Sequence, residues 1–255
     1  REEAGLAATP AYFALRAQRL MRESGLTKQD LASVVVKNRA NGVHNQDAMY
    51  RTPTTVDEVL GSRLVCEPLH LFMLCSPNEG AAAVVLRRAK PRASDSVTLE
   101  SAILRSHLPG SVLGEATPLA GIDDANITPP TTLAATAAYE EAGIGPDDLD
   151  LVECQDTDAA RELLGWEELG LCARGEQARA LAHGDASPGG TRPVNPSGGL
   201  LSKGEPLGAS GLGQVVELVR QLRGEAGARQ VEGARVGLAH TVGRGANASV
   251  AIVRR

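Results

Sequence analysis

Apolar residues recur at helical spacing from Thr9 to Gly25, at Tyr12, Leu15, Leu20 and Met21, and Gly25 is placed to end that helix. A second, short helix is predicted to start behind Thr27 as N-cap. From Arg39 to Arg63 the chain is polar and rich in Asn and Thr, and it reads as a long surface excursion. The apolar run Gly80–Leu86, followed by basic residues, predicts a buried strand that emerges at the surface. Val97–Leu104 is a further strand candidate.

The second half is more regular. A helix is predicted over Thr131–Gly143, with Pro129 and Pro130 before it and glycine at its end. A strand follows at Leu149–Cys154, then helices at Ala159–Leu171 and Gln214–Leu222, and strands at Val236–Ala239 and Ala248–Val253. Helices alternating with short apolar strands indicate an α/β layered domain.

Composition narrows the function. With a formal net charge of −5, the chain carries no basic field for nucleic acid or anionic lipid, although local arginines leave small anionic ligands open. No apolar run approaches the ~20 residues that span a bilayer. The acidic start REEAGLAATPAYFALRAQRL is unlike a secretory signal. Cys66, Cys75, Cys154 and Cys172 have neither metal-site spacing nor the density of a disulfide scaffold, which points to a reducing, cytoplasmic setting without a bound metal.

The segment NPSGGLLSKGEPLGASG, Asn195–Gly211, sets five glycines and two prolines ahead of a helix. Such a loop allows close backbone approach and presents free N–H groups to an anion or oxyanion. Its spacing fits neither the P-loop nor the dinucleotide fingerprint. A glycine-rich turn that merely packs a helix against a sheet is the plain alternative.

The wording of this segment resembles the catalytic loop near the C-terminus of the thiolase superfamily, and the sterol-carrier-protein branch most. VVVKNRANGVHNQDAMYR (Val34–Arg51), CSPNEGAAAVVL (Cys75–Leu86), DLVECQDTDAARELLGWEELGLCARGE (Asp150–Glu176) and GLAHTVGRGANASVAIV (Gly237–Val253) resemble the same branch in the same order. The resemblance implies a layered αβαβα fold, a mixed sheet covered by helices, with the N-terminal half incomplete. Residues 1–115 would be the remainder of the N-terminal domain and residues 116–255 the C-terminal domain. It further implies an acyl-CoA thioester as ligand, no cofactor beyond that CoA, a homo- or hetero-oligomer, and a place in lipid or steroid degradation. Substrate contacts are expected from Asn195, Gly198, Gly199, Gly204, Gly208, Thr157, Asp158 and Gly243.

Two departures from the family pattern bear on the chemistry. The family's nucleophilic cysteine lies in an N-terminal part to which nothing here corresponds, and Cys75 and Cys172 read as packing residues. The branch's His-Asp-Cys-Phe motif is matched by Gln155, Asp156, Thr157 and Asp158, and its Gly-His-Pro histidine by Glu205. Only His240 stands where relatives also show a histidine. A glutamate is ordinarily an anion and repels a developing oxyanion, and a glutamine shuttles no proton. Claisen chemistry is therefore not expected.

Glu205 and His240, with Gln155 and Asp156, are the candidate catalytic set. They suit a retro-aldol cleavage of a β-hydroxyacyl-CoA, as in cysteine-less relatives that work with a small OB-fold partner protein. The loop Gly198–Gly211 is expected to line a cleft and aim its N–H groups at the thioester, with Pro206 stiffening the turn at residue 205. In the plainer alternative Glu205 pairs with Lys203 or Arg244, His240 is a satisfied strand histidine, and Asp156 caps the helix near Ala159. Function then narrows to an enzyme, a non-catalytic thiolase-like subunit, or a lipid- or CoA-binding module.

Overall fold

The computed structural model describes residues 8–88, 96–106, 128–243 and 247–255. Helix α1 spans Ala8–Ser24, and Gly25 follows it with positive φ. Helix α2 spans Lys28–Gly42 and opens on a reciprocal cap: the Thr27 hydroxyl accepts from the Asp30 N–H, and the Asp30 carboxylate accepts from the Thr27 N–H at 2.7 Å. At 15 residues it is longer than the short helix expected there.

The predicted surface excursion from Arg39 to Arg63 is corrected in part: residues 43–55 are irregular and largely exposed, but its two ends are not. Residues 39–42 complete α2, Arg39 and Asn45 are buried, and a short helix α3 at Val56–Gly61 carries its own capping box at Thr55 and Glu58. Polarity had pointed to solvent, but these polar side chains pack inside. The hairpin β1 (Leu64–Cys66) and β2 (Leu69–His70) follows.

The main sheet has strand order β3-β6-β5-β4, with β3 at Thr98–Ser106, β4 at Leu151–Cys154, β5 at Val236–Gly243 and β6 at Asn247–Arg254. Strands β4 and β5 run parallel and the other pairs antiparallel, so the sheet is mixed. Alternation along the strands sorts its side chains to two faces. Val152, Cys154, Leu238, Val250 and Ile252 face the larger core, with α4 (Pro130–Ala142) and α5 (Ala159–Glu168). Leu151, Ala239 and Val253 face Leu218 and Leu222 of α8 (Ser210–Arg223). Helices thus cover both faces, while α1 and α2 pack outside α5. Short helices α6 (Gln177–His183) and α7 (Gly199–Lys203) fill the connection from α5 to α8.

Residues Gly80–Leu86 do not form the buried strand expected of them. They are extended without a ladder, and Val85 is 96% exposed. An apolar β-prone run becomes a strand only when another strand takes its N–H and C=O groups, and none does among the described residues. The domain boundary expected near residue 115 lies outside those residues.

One close approach sets the position of α7. A Cβ on Gly42 would stand 2.7 Å from Ser202 Cβ and 3.2 Å from the Tyr50 carbonyl oxygen. Gly42→Ala is therefore expected to destabilise the protein by ~1–3 kcal/mol through overpacking. Gly61, with nothing within 4 Å of a Cβ, serves as control. Urea unfolding of Gly42→Ala and Gly61→Ala checks this, and equal midpoints would refute it.

Candidate functional site

The site is built around a buried carboxylate. Asp156 lies two residues beyond the end of strand β4 and is fully buried. Its Oδ1 accepts from the Leu200 N–H at 2.6 Å and its Oδ2 from the Leu201 N–H at 3.1 Å, so it caps the start of α7. Gly198 and Gly199 both hold positive φ there, and a Cβ on Gly199 would lie 2.1 Å from Asp156 Oδ2. Only glycine admits the carboxylate so close to the backbone.

This corrects two expectations. The N–H groups at the start of the loop are taken by a side chain of the same protein, and Gly204 N–H and Glu205 N–H donate to Leu200 O and Ser76 O. They are not free to be aimed at a thioester. The helix beginning at Ala159 is capped by Asp158, whose Oδ1 accepts from the Arg161 N–H at 2.9 Å, and not by Asp156. Asp158 also pairs with Arg16 of α1 and accepts from the Thr157 hydroxyl.

Around Asp156 the polar groups are mutually satisfied. Asn38 Nδ2 donates to Asp156 Oδ2 at 2.9 Å and to Glu162 Oε2 at 2.6 Å. Asn195 Nδ2 donates to Glu162 at 2.8 Å, while its Oδ1 accepts from the Cys154 N–H. Lys37 pairs with Glu162 and donates to Val194 O. Burial first, then the neighbouring Glu162 charge, raises the Asp156 carboxyl well above its ordinary range, against the opposing N–H bonds of Leu200 and Leu201.

Glu205 stands beside this network in a half-buried position. Gln155 Nε2 donates to its Oε1 at 2.9 Å, and Cys75 Sγ donates to its Oε2 at 3.4 Å. Lys203 turns instead to Glu153, at 3.3 Å, and Arg244 lies outside the described residues. No cation pairs with Glu205 among the described residues. Gln155 is buried, and its Oε1 has no partner there.

His240 is elsewhere in its bonding. It is fully buried on β5, its Nε2 lies 3.0 Å from the Thr131 hydroxyl of α4, and its Nδ1 has no partner among the described residues. Burial, then Arg161, lowers its pKa well below the usual value and keeps the ring neutral. It shares no hydrogen bond with Glu205. Gly204 packs against Asn78 and Met49, Gly208 occupies an exposed turn, and Gly243 ends β5 against Asn247.

Cys75 was read as packing, yet it touches Glu205 across 130 positions of sequence. Ser76 and Tyr50 were likewise not singled out, although Tyr50 Oη lies 2.7 Å from Ser76 Oγ and Ser76 O accepts from Glu205 N–H. The available signal was that both belong to segments carrying the family resemblance. Burial and then Glu205 push the Cys75 thiol far up; burial does the same to Cys154 and raises Cys172 to about 11. These thiols are the reverse of activated nucleophiles. Among the described residues no cluster of His, Cys, Asp or Glu is placed to hold a metal, and no helix is long and apolar enough to cross a membrane. Two cavities, of about 420 and 160 Å³, are lined by residues around Gln221 and Arg255 and around Trp166 and Cys172, apart from Gln155, Glu205 and His240.

The helix-covered mixed sheet and the capped glycine loop define a thiolase-type domain. The chain belongs to the family described as Thiolase C-terminal domain-like, whose profile matches residues 118–255. It is 40% identical over 249 residues to the acetyl-CoA acetyltransferase of Methanothermobacter thermautotrophicus, covering 96% of this chain and 63% of that one. It is 39% identical to the benzoylsuccinyl-CoA thiolase subunit BbsB of Thauera aromatica, covering 92% of this chain and 60% of the relative. Identity to sterol carrier protein 2 of Bos taurus is 36%, over 92% of this chain and 44% of the relative. Among solved structures, the Ltp2-ChsH2(DUF35) aldolase superposes with a TM-score of 0.78 at 25% identity, over 95% of this chain and 62% of that one. The chain thus spans less than two thirds of the length of each of these proteins.

The raised Asp156 carboxyl has a signed consequence for stability. Between its ordinary value of 3.8 and its raised native value, the folded protein keeps a proton that the unfolded chain has lost. Stability contributed by this group is therefore complete below that window and declines as pH rises through it. Urea midpoints of parent and Asp156→Asn, compared from pH 4 upward, are expected to move apart, with the parent losing ground as pH rises; parallel curves would contradict the assignment.

Proposed function

We propose that the protein acts on acyl-CoA thioesters and breaks or forms a carbon–carbon bond by retro-aldol chemistry, without a cysteine nucleophile from the described residues. The observation that carries this reading is Glu205: a half-buried carboxylate on the family's glycine loop, held by two neutral donors and by no described cation. An unneutralised carboxylate is available to take a proton. Burial, and then the Glu205 carboxylate, hold the Cys75 thiol protonated, so Cys75 offers no substitute nucleophile.

In the proposed step Glu205 removes the β-hydroxyl proton of a β-hydroxyacyl-CoA. The Cα–Cβ bond breaks, the former β-carbon leaves as a carbonyl compound, and the electron pair passes into the thioester enolate. A proton returned to the α-carbon completes the shortened acyl-CoA. Gln155 holds the carboxylate in place. His240, sealed beneath α4, acts as a structural residue in this scheme. The structural likeness to an aldolase supports the reaction type, and the two-component name of that neighbour supports a second protein, such as a small OB-fold chain, in an oligomeric assembly.

The second reading is a non-catalytic thiolase-like subunit that binds acyl-CoA or steadies an active partner. The internally satisfied N–H groups of Leu200, Leu201, Gly204 and Glu205 favour it, since they are not available to a thioester oxygen. Glu205→Gln in the full-length protein, with whatever partner co-purifies, separates the two. General-base catalysis is worth ~10²–10⁴ in rate, so a loss of that order is expected for β-hydroxyacyl-CoA cleavage. Thiolysis of β-ketoacyl-CoA is expected to be absent in both proteins. Unchanged cleavage removes Glu205 from the mechanism, and no cleavage by the parent favours the second reading.

A further inference from the structure

Arg39 is a buried cation without a counter-ion among the described residues. It sits in the last turn of α2 and is 8% exposed. Its guanidinium carbon lies 3.8 Å from the centre of the Tyr50 ring and 5.7 Å from that of Phe72. The Nε–H is buried with no acceptor, and no oxygen among the described residues accepts from the rest of the fork. Partial negative charge at the end of α2 is a diffuse partner and supplies no acceptor for the Nε–H. A guanidinium drawn out of water calls for a charged or hydrogen-bonding acceptor.

The surroundings suit a ligand with an apolar part. Met49, Leu71 and Phe72 are exposed by 47%, 42% and 37%. Met49 borders the loop itself, since a Cβ on Gly204 would meet its sulfur at 2.8 Å. Tyr50, stacked on Arg39, bonds to Ser76, whose carbonyl accepts from the Glu205 N–H. The cation, the apolar rim and the candidate acid therefore belong to one connected patch.

We propose that Arg39 is the oxyanion-binding residue of the acyl-CoA site: its planar fork, stacked on Tyr50 and near Phe72, receives a carboxylate or phosphate oxygen of the ligand while Met49 and Phe72 receive its apolar portion. The inference rests on the acyl-CoA reading and needs no turnover. The fork's rigid geometry matches both oxyanions in bidentate fashion. The two sources separate by probe: CoA against pantetheine isolates the phosphates, and succinyl-CoA against butyryl-CoA isolates a carboxylate on the acyl group.

The test is calorimetric titration of the full-length protein, its Arg39→Met variant and its Arg39→Lys variant with these four compounds. In one of the two comparisons, Arg39→Met is expected to remove a preference of about tenfold or more, the worth of a charge-assisted hydrogen bond. Arg39→Lys, which keeps charge and stem but not the fork, is expected to lose part of the same preference, and it serves as the variant should Arg39→Met fail to fold. Unchanged affinities for all four overturn the proposal. So does a loss of melting temperature without a change in affinity, which places the acceptor within the protein itself. A parent that binds none of the four defeats this inference and the acyl-CoA reading together, whereas binding that depends on Arg39 sustains the inference even if Glu205→Gln leaves turnover unchanged.

Discussion

The arrangement depends on one carboxyl group held away from water. The Asp156 carboxylate meets the first free N–H groups of α7, and the same carboxylate ties Asn38 of α2 to the end of β4. Glu162 of α5 and Asn195 before the glycine loop close the ring. Four separate stretches of chain are thereby fixed by side chains that have little alternative. A buried acceptor stripped of its donors costs ~1–3 kcal/mol or more, so the network specifies a single mutual placement of α2, β4, α5 and α7. Glu205 inherits its position from that placement, two residues beyond α7.

The residues that take up the thiolase histidine and cysteine positions change what the loop does. Where a family site uses its loop N–H groups toward a ligand, here the helix start is occupied by the protein's own carboxylate. What stays open is a side-chain acid flanked by a neutral amide and a thiol held in its protonated form. Under the proposed function that arrangement favours proton transfer over acyl transfer, with the chemistry borne by side chains.

Much of the fold was legible because local rules and packing agree. Thr27 with Asp30 announces a helix start, Pro130 and Gly143 bracket α4, and the apolar strands β5 and β6 pair as neighbours across a short connection. The errors share a cause. Arg39 and Asn45 are polar residues buried by partners far along the chain, and polarity alone directs such residues outward. Asp156 and Asp158 are both well spaced to cap α5, and only the tertiary fold decides that Asp156 turns to α7. Glu205 and Gln155 stood out as substitutions against a family pattern, whereas Cys75 reaches Glu205 by a contact that no local spacing encodes. The division of polar groups into satisfied and orphaned, which set Arg39 apart, is likewise a property of three dimensions.

The extended run from Gly80 to Leu86 has a colloidal consequence. Its side chains alternate in exposure over Ala81–Val85, no strand pairs with it among the described residues, and Val85 and Leu86 stand in solvent. An apolar segment ending in Val84, Val85 and Leu86, free of proline and charge, offers an edge onto which another extended chain can add. Arg87 and Arg88 follow it immediately and are exposed, so two such segments brought side by side in register set four positive charges together. Dilute salt lets that repulsion keep molecules apart, and high salt screens it over a few ångströms. Pairing at this one short stretch is thus opposed by charge and sensitive to ionic strength, independently of the stability of the core.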